Sequence, residues 1–264
     1  MLQKRSARWA EGAFVAEGPE LIRSALGAGV PVESLYVSPD GDHDRATQEV
    51  CRRATEAGAR VFALGPGVLE RVADTVTPQP VLAVVPMLAE PPAGSPAWAA
   101  DPGALVVVLV DVRDPGNAGT VLRAADASGV AAVVYAGESV DPYNPKTVRS
   151  SAGSLFHVPL AVRPDPFALA AELSEAGFRT LATVVRGGED YVALDWSVPS
   201  ALFLGNESAG LDPALCRALA AAVAIPMAGR AESLNVGVAG AVVCFEAFRQ
   251  RRGGGAGPRS ISGS

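Results

Sequence analysis

The chain has 264 residues, of which 49% are hydrophobic and 19% charged, with a formal net charge of −6. That composition holds enough apolar material for one large domain or two small ones and excludes an intrinsically disordered chain. The mild acidity argues against indiscriminate polyanion binding and leaves room for a local basic patch. In chain order, helices are predicted at 19–26, 45–57 and 66–72, with strands at 34–37, 60–64 and 81–85. This alternation reads as a small α/β domain over 1–89. Residues 90–103, E-P-P-A-G-S-P-A-W-A-A-D-P-G, carry too many prolines and glycines for regular structure and read as a linker. Beyond it, strands are predicted at 105–110, 131–135, 180–185, 201–204 and 222–225. Helices are predicted at 118–128, 145–152, 167–176, 213–220 and 236–251. Short apolar runs bounded by glycine and alternating with helices imply a parallel sheet covered on both faces over 104–252. The tail 253–264, rich in glycine and serine, is expected to be flexible.

Cys51, Cys216 and Cys244 are widely separated, no C-x-x-C occurs, and His43 and His157 lie far apart. Neither a disulfide framework nor a metal site is expected, and the thiols read as free and buried. The opening M-L-Q-K-R-S-A-R-W runs into no apolar stretch. No segment offers the roughly 20 apolar residues of a membrane span. A cytoplasmic protein without a membrane partner is expected.

Three loop segments carry the chemistry, each at the end of an apolar run. The first, 111–123, reads D-V-R-D-P-G-N-A-G-T-V-L-R; its turn places a helix start beside Asn117 and puts Arg123 about two turns in. A helix N-terminus with an arginine suits a phosphate or carboxylate. Equally, Arg123 could do no more than pair with Asp126 or Asp111, and spacing does not separate the two readings. The second, 204–211, is L-G-N-E-S-A-G-L: Gly205 would let backbone approach a ligand and Glu207 would fix a neighbour, or Ser208 or Asp212 would simply cap the next helix. The third, 225–236, is I-P-M-A-G-R-A-E-S-L-N-V, with Ser233 or Asn235 as an alternative helix cap. Neither the dinucleotide fingerprint G-x-G-x-x-G nor the P-loop follows any strand. The residues alone reach a composite ligand site on an α/β protein.

These three segments, in this order and spacing, resemble the signatures of the SpoU (TrmH-like) branch of the SPOUT RNA methyltransferases. The resemblance runs through 106–248 and includes the block 139–159, S-V-D-P-Y-N-P-K-T-V-R-S-S-A-G-S-L-F-H-V-P. Residues 14–18, F-V-A-E-G, resemble the start of the N-terminal substrate-binding domain, related to a ribosomal-protein fold, that many members carry. The resemblance implies a SPOUT domain with a deep trefoil knot, an exception to the rule against threaded chains. It implies S-adenosylmethionine as cofactor, held around Leu204, Gly205, Ile225, Met227 and Leu234 with Thr183 nearby. The reaction implied is methyl transfer to a ribose 2′-hydroxyl of RNA, in a homodimer whose site draws on both subunits, with no metal. Arg123 would act on the hydroxyl, supported by Asn117 and Glu207, while Ser233 and Asn235 would lie near the transferring methyl. Lys146 and Arg149, three apart, are candidate RNA phosphate contacts.

The separate N-terminal domain favours ribosomal over transfer RNA, for housekeeping modification or for resistance to a ribosome-targeting antibiotic. Lys4, Arg5, Arg8, Arg23, Arg52 and Arg53 are further candidates for tracking phosphates. A transfer-RNA methyltransferase, a non-catalytic RNA-binding or ribosome-assembly factor, and a small-molecule-binding α/β protein are the rivals. Gly237 departs from the family, which usually has a small hydroxyl residue there.

Overall fold

The computed structural model describes residues 2–73, 77–91 and 103–253. Most of the expected linker, and the expected tail apart from Gly253, lie outside the described residues. The chain divides into two compact units, one of Met1–Ala89 with Asp141–His157, the other of Glu90–Val140 with Val158–Ser264.

The first unit holds strands β1 (Ala13–Glu17), β2 (Ser34–Val37), β3 (Arg60–Ala63) and β4 (Val81–Pro86) in the order β1-β4-β2-β3. Only the β2–β3 pair is parallel; β4 runs antiparallel to both its neighbours. Helices α1 (Arg5–Glu11), α2 (Pro19–Gly27), α3 (Arg45–Glu56) and the single turn α4 (Leu69–Val72) accompany them. The helix expected at 66–72 shrinks to that turn, because Gly65, Pro66 and Gly67 delay its start. Phe14 explains why 141–157 groups with this unit: its ring packs 4.9 Å from that of Tyr143 and 6.2 Å from that of Phe156. The same segment brings α6 (Pro145–Ser150).

The second unit is a seven-stranded sheet in which every pairing is parallel. Its strands are β5 (Leu105–Val110), β6 (Ala132–Ala136), β7 (Leu160–Arg163), β8 (Arg179–Thr183), β9 (Glu189–Asp190), β10 (Ser200–Leu204) and β11 (Ala221–Ala224). The order is β7-β6-β5-β10-β8-β11-β9. All six residues of β5 are buried, as expected of a β-branched strand covered on both faces. Val106, Val108 and Val110 join a core with Leu169 and Leu173 of α7 (Pro166–Glu175) and Leu215 of α8 (Pro213–Ala218). Helices α5 (Pro115–Ser128) and α9 (Val236–Gly253) pack against each other. A Cβ on Gly240 would stand 2.9 Å from Leu204 Cδ1 and 3.3 Å from Val121 Cγ2, so glycine there lets α9 approach closely. Between β5 and β10 the strand order reverses, which makes a cleft at their carboxyl ends the expected place for a ligand.

Candidate active site

Asp114 starts α5 by accepting a 2.9 Å hydrogen bond from the Asn117 amide, with Pro115 pre-set in the first turn. Gly129 ends it at φ 67°, where the Val130 amide returns to Ala125 O. Arg123 projects from this helix, exposed. Neither Asp126 nor Asp111 engages it, and among the described residues it makes no hydrogen bond or ion pair. Asp111 is occupied otherwise: it adopts φ 55° and its Oδ1 accepts from the Glu138 amide at 2.7 Å.

The three loops are tied by one chain of side-chain hydrogen bonds. Asn235 Nδ2 donates to Asn117 Oδ1 at 2.8 Å, and Asn117 Nδ2 donates to Glu207 Oε1 at 2.9 Å. Glu207 also accepts from the amides of Asp114 (3.1 Å) and Arg113 (3.3 Å). Burial raises the Glu207 carboxyl, but the Asn117 side chain and the loop amides outweigh it and hold the group below the usual carboxylate range. Asn235 simultaneously caps α9, its Oδ1 accepting from Gly237 N at 2.9 Å and Val238 N at 3.3 Å. Capping and site-building thus fall to one side chain. Of the two alternative caps, Ser208 and Asp212, it is Asp212 that caps α8, accepting from Ala214 N.

Thr183, Leu204, Gly205, Ile225, Met227 and Leu234 line a single cavity of about 260 Å³, together with Glu207 and Ser233. It lies at the carboxyl ends of β8, β10 and β11. Thr183 turns its hydroxyl to Phe203 O at 2.8 Å, presenting a mostly apolar wall. Gly205 serves the loop as well as the cavity wall. A Cβ there would overlap the main chain of Gly210 and Leu211, so the glycine is demanded by the loop's own return before any ligand arrives. At Gly237 a Cβ would stand 3.1 Å from both Thr120 Cβ and Asn235 Oδ1, so any side chain there would crowd α5 and the helix cap.

Lys146 and Arg149 lie on α6 in the first unit and do not line the cavity. Arg149 Nη1 stands 3.6 Å from Glu17 Oε2, so part of its charge is already answered. Arg8 is not a surface cation: it is 2% exposed and donates to Asp141, through Nε at 2.9 Å and through Nη2, and to the carbonyls of Leu2 and Gln3. Arg23 is paired with Glu20, and Arg52 with Glu49 and Glu56. Sequence reasoning passed over Asn206, whose Nδ2 donates to Asp111 O at 2.8 Å and whose Oδ1 accepts from Ser208 N and Ala209 N. An asparagine opening a glycine-bounded loop was the available signal. The lining from α9, Val236, Ala239 and Val243, was also missed.

Comparison with known proteins decides the family. Residues 104–245 match the SpoU rRNA Methylase family model. The chain belongs to that family. Residues 1–83 match the MRM3-like substrate binding domain. The chain is 35% identical over 245 residues to the 23S rRNA (guanosine(2553)-2′-O)-methyltransferase RlmP of Bacillus subtilis (strain 168), covering 92% of each. It is similar to the crystal structure of the SpoU methyltransferase AviRb from Streptomyces viridochromogenes in complex with AdoMet (32% identity, TM-score 0.84, 95% of this chain and 94% of that one). A structure described as giving insights into 2-OH methylation of C/U34 on tRNA covers 58% of this chain and 99% of its own, at 30% identity and TM-score 0.51. Among the described residues there is no metal-binding cluster of His, Cys, Asp or Glu, and no helix is long and apolar enough to cross a membrane.

Proposed function

We propose that this chain transfers a methyl group from S-adenosylmethionine to a ribose 2′-hydroxyl of ribosomal RNA. The observation that carries the reading is Arg123, without a partner among the described residues, on the helix whose first turn is braced by Asn117, Glu207 and Asn235. The RlmP relative matches over nearly the whole chain, N-terminal unit included, whereas the tRNA-related structure matches just over half, which favours ribosomal RNA.

The cavity fits the cofactor in chemistry: apolar walls from Leu204, Ile225, Met227 and Leu234 suit a purine and a thioether chain, with strand-end main chain for its polar edges. Bound there, S-adenosylmethionine supplies an electrophilic sulfonium methyl. A guanidinium stays protonated at neutral pH, so Arg123 acts as a donor, orienting the 2′-oxygen and offsetting its negative charge as the hydroxyl proton passes to solvent water, the C–S bond breaks and the thioether product is left. Asn117, Glu207 and Asn235 hold the first turn of α5, the helix that carries Arg123. Orientation of this kind supplies much of the rate gain in a displacement that needs no metal.

Several finer statements belong to the same proposal. Residues 1–89 bind the RNA substrate, with Lys146 and Arg149 as phosphate contacts, 90–103 link to the catalytic domain and 253–264 are a tail. The catalytic domain is threaded as a trefoil knot, and two copies pair, consistent with exposed Val238 and Phe245 on α9. The protein works in the cytoplasm. The test is incubation with tritiated S-adenosylmethionine and unmodified 23S rRNA, bare and in subunits, beside tRNA. Label in rRNA mapped to a 2′-O-methyl is expected; label confined to tRNA, or none, would overturn the substrate or the reaction.

A further inference from the structure

Strand β3 is the outer strand of the first sheet, and all four of its residues are exposed. Of its cross-strand partners on β2, Ser34, Leu35 and Val37 are buried and Tyr36 alone is part-exposed. Tyr36 and Phe62 are register partners, so their side chains share a face of the sheet. Their rings stack at 5.3 Å and 18°, yet Phe62 remains 41% exposed. Arg60, two residues away on that same face, sets its guanidinium 5.9 Å from the Phe62 ring centre. Unlike Arg23 and Arg52, which carboxylates engage, Arg60 makes no hydrogen bond or ion pair among the described residues. Val61 and Phe62 thus leave apolar surface uncovered on an edge strand beside a single cation.

We infer that Tyr36, Phe62 and Arg60 form a stacking site for an unpaired base of the RNA substrate, with Arg60 taking the adjoining phosphate. The inference rests on the reading of the chain as an RNA methyltransferase and locates a substrate contact within residues matched by the substrate-binding model. Aromatic rings beside a planar cation stack any base face and reach its phosphate. A duplex hides its base faces, so the ligand is single-stranded or looped RNA. A polypeptide strand added to β3 would instead use main-chain groups and be indifferent to the ring.

The full chain is titrated with a short labelled unstructured RNA and with a blunt duplex of equal length, and methylation of 23S rRNA is followed in parallel. Phe62→Leu and Arg60→Glu should each weaken single-strand binding about tenfold, the order of one stacked base, while Phe62→Tyr retains it. Both weakened variants should raise KM for rRNA with kcat and S-adenosylmethionine affinity unchanged. Full binding by Phe62→Leu, equal losses on the duplex, or an effect of Phe62→Leu on self-association alone would overturn the site. Phe62-dependent binding by a wild-type protein that methylates no RNA would keep the site and sink the enzymatic reading.

Discussion

Arg8 and Arg123 each sit on a helix, and the two units use them in opposite ways. Arg8, in the first unit, is buried with Asp141, itself 4% exposed, and every one of its nitrogens has a partner. Arg123, in the second, is exposed and none of its nitrogens has one among the described residues, while Asn117, Glu207 and Asn235 near its helix start engage each other. A buried cation costs several kcal/mol to desolvate and stays only where it is completely paired, so Arg8 is structural. An exposed cation keeps its hydration, carries no such desolvation cost and is available to a substrate. Pairing, rather than residue type or helix position, separates the two roles.

The sharpest test of that contrast is Arg123→Ala. It is expected to lower methyl transfer by about a thousandfold, within the range for loss of a positioned charge-stabilising donor. Unfolding midpoint and cofactor affinity by calorimetry should stay near wild type, since Arg123 makes no hydrogen bond or ion pair among the described residues. Wild-type turnover would remove Arg123 from the mechanism. Arg8→Ala should invert the pattern, destabilising the chain by about 3–5 kcal/mol because Asp141 is left buried and unpaired. Urea denaturation measures it, and Arg8→Met with Asp141→Leu should recover most of the loss. If the double variant is no better than the single, the cost lies in packing around Arg8 and not in the orphaned charge.

Next in size is Gly205→Ala. Overlap with the Gly210–Leu211 main chain predicts a loss of about 1–3 kcal/mol from overpacking, together with weaker cofactor binding because the cavity wall moves. Thermal unfolding and calorimetry on one sample decide it. Unchanged stability with lost binding would mean that the glycine makes room for a ligand and not for the loop's return.

How much of this was legible in the sequence follows from where burial is continuous. Strands β5, β6 and β10 are covered on both faces and read as unbroken apolar runs; the expected bounds of β5, 105–110, are those observed. β7 and the two-residue β9 were missed because L-A-V-R and E-D carry no such run. α1 was missed for a different reason: its buried residue is Arg8, which no hydrophobic period marks. β1 was noticed as a motif, F-V-A-E-G, and not as a strand. At the site, residues alone gave three glycine-bounded loops and left Arg123 undecided. The hydrogen bonds that join them span 118 residues from Asn235 to Asn117 and 90 from Asn117 to Glu207. Nothing local encodes such partners; they follow from the strand order that sets β10 beside β5. The cavity lining came from family resemblance, and the geometry brings those six residues together.

The smallest effect asked of the comparison is Glu207→Gln, which tests whether the frame around Arg123 depends on a charge. Glutamine keeps an oxygen for Asn117 but gives up charge-assisted bonds to the Asp114 and Arg113 amides, for about 1 kcal/mol at neutral pH. The carboxyl is held below its ordinary value of 4.5 in the folded chain. A depressed folded value means the carboxylate contributes stability that is fully present above 4.5 and is lost as pH falls through the lower, folded value. Wild type should therefore exceed Glu207→Gln in urea midpoint at pH 7 and at pH 5, and the gap should close at more acid pH. Methyl transfer by Glu207→Gln should fall less than by Arg123→Ala, since the frame loosens while the donor remains. A gap that persists unchanged into acid would mean that Glu207 braces the loops by shape alone, and Arg123 would then owe its position to the Asn117–Asn235 bond and the packing of α5 on α9.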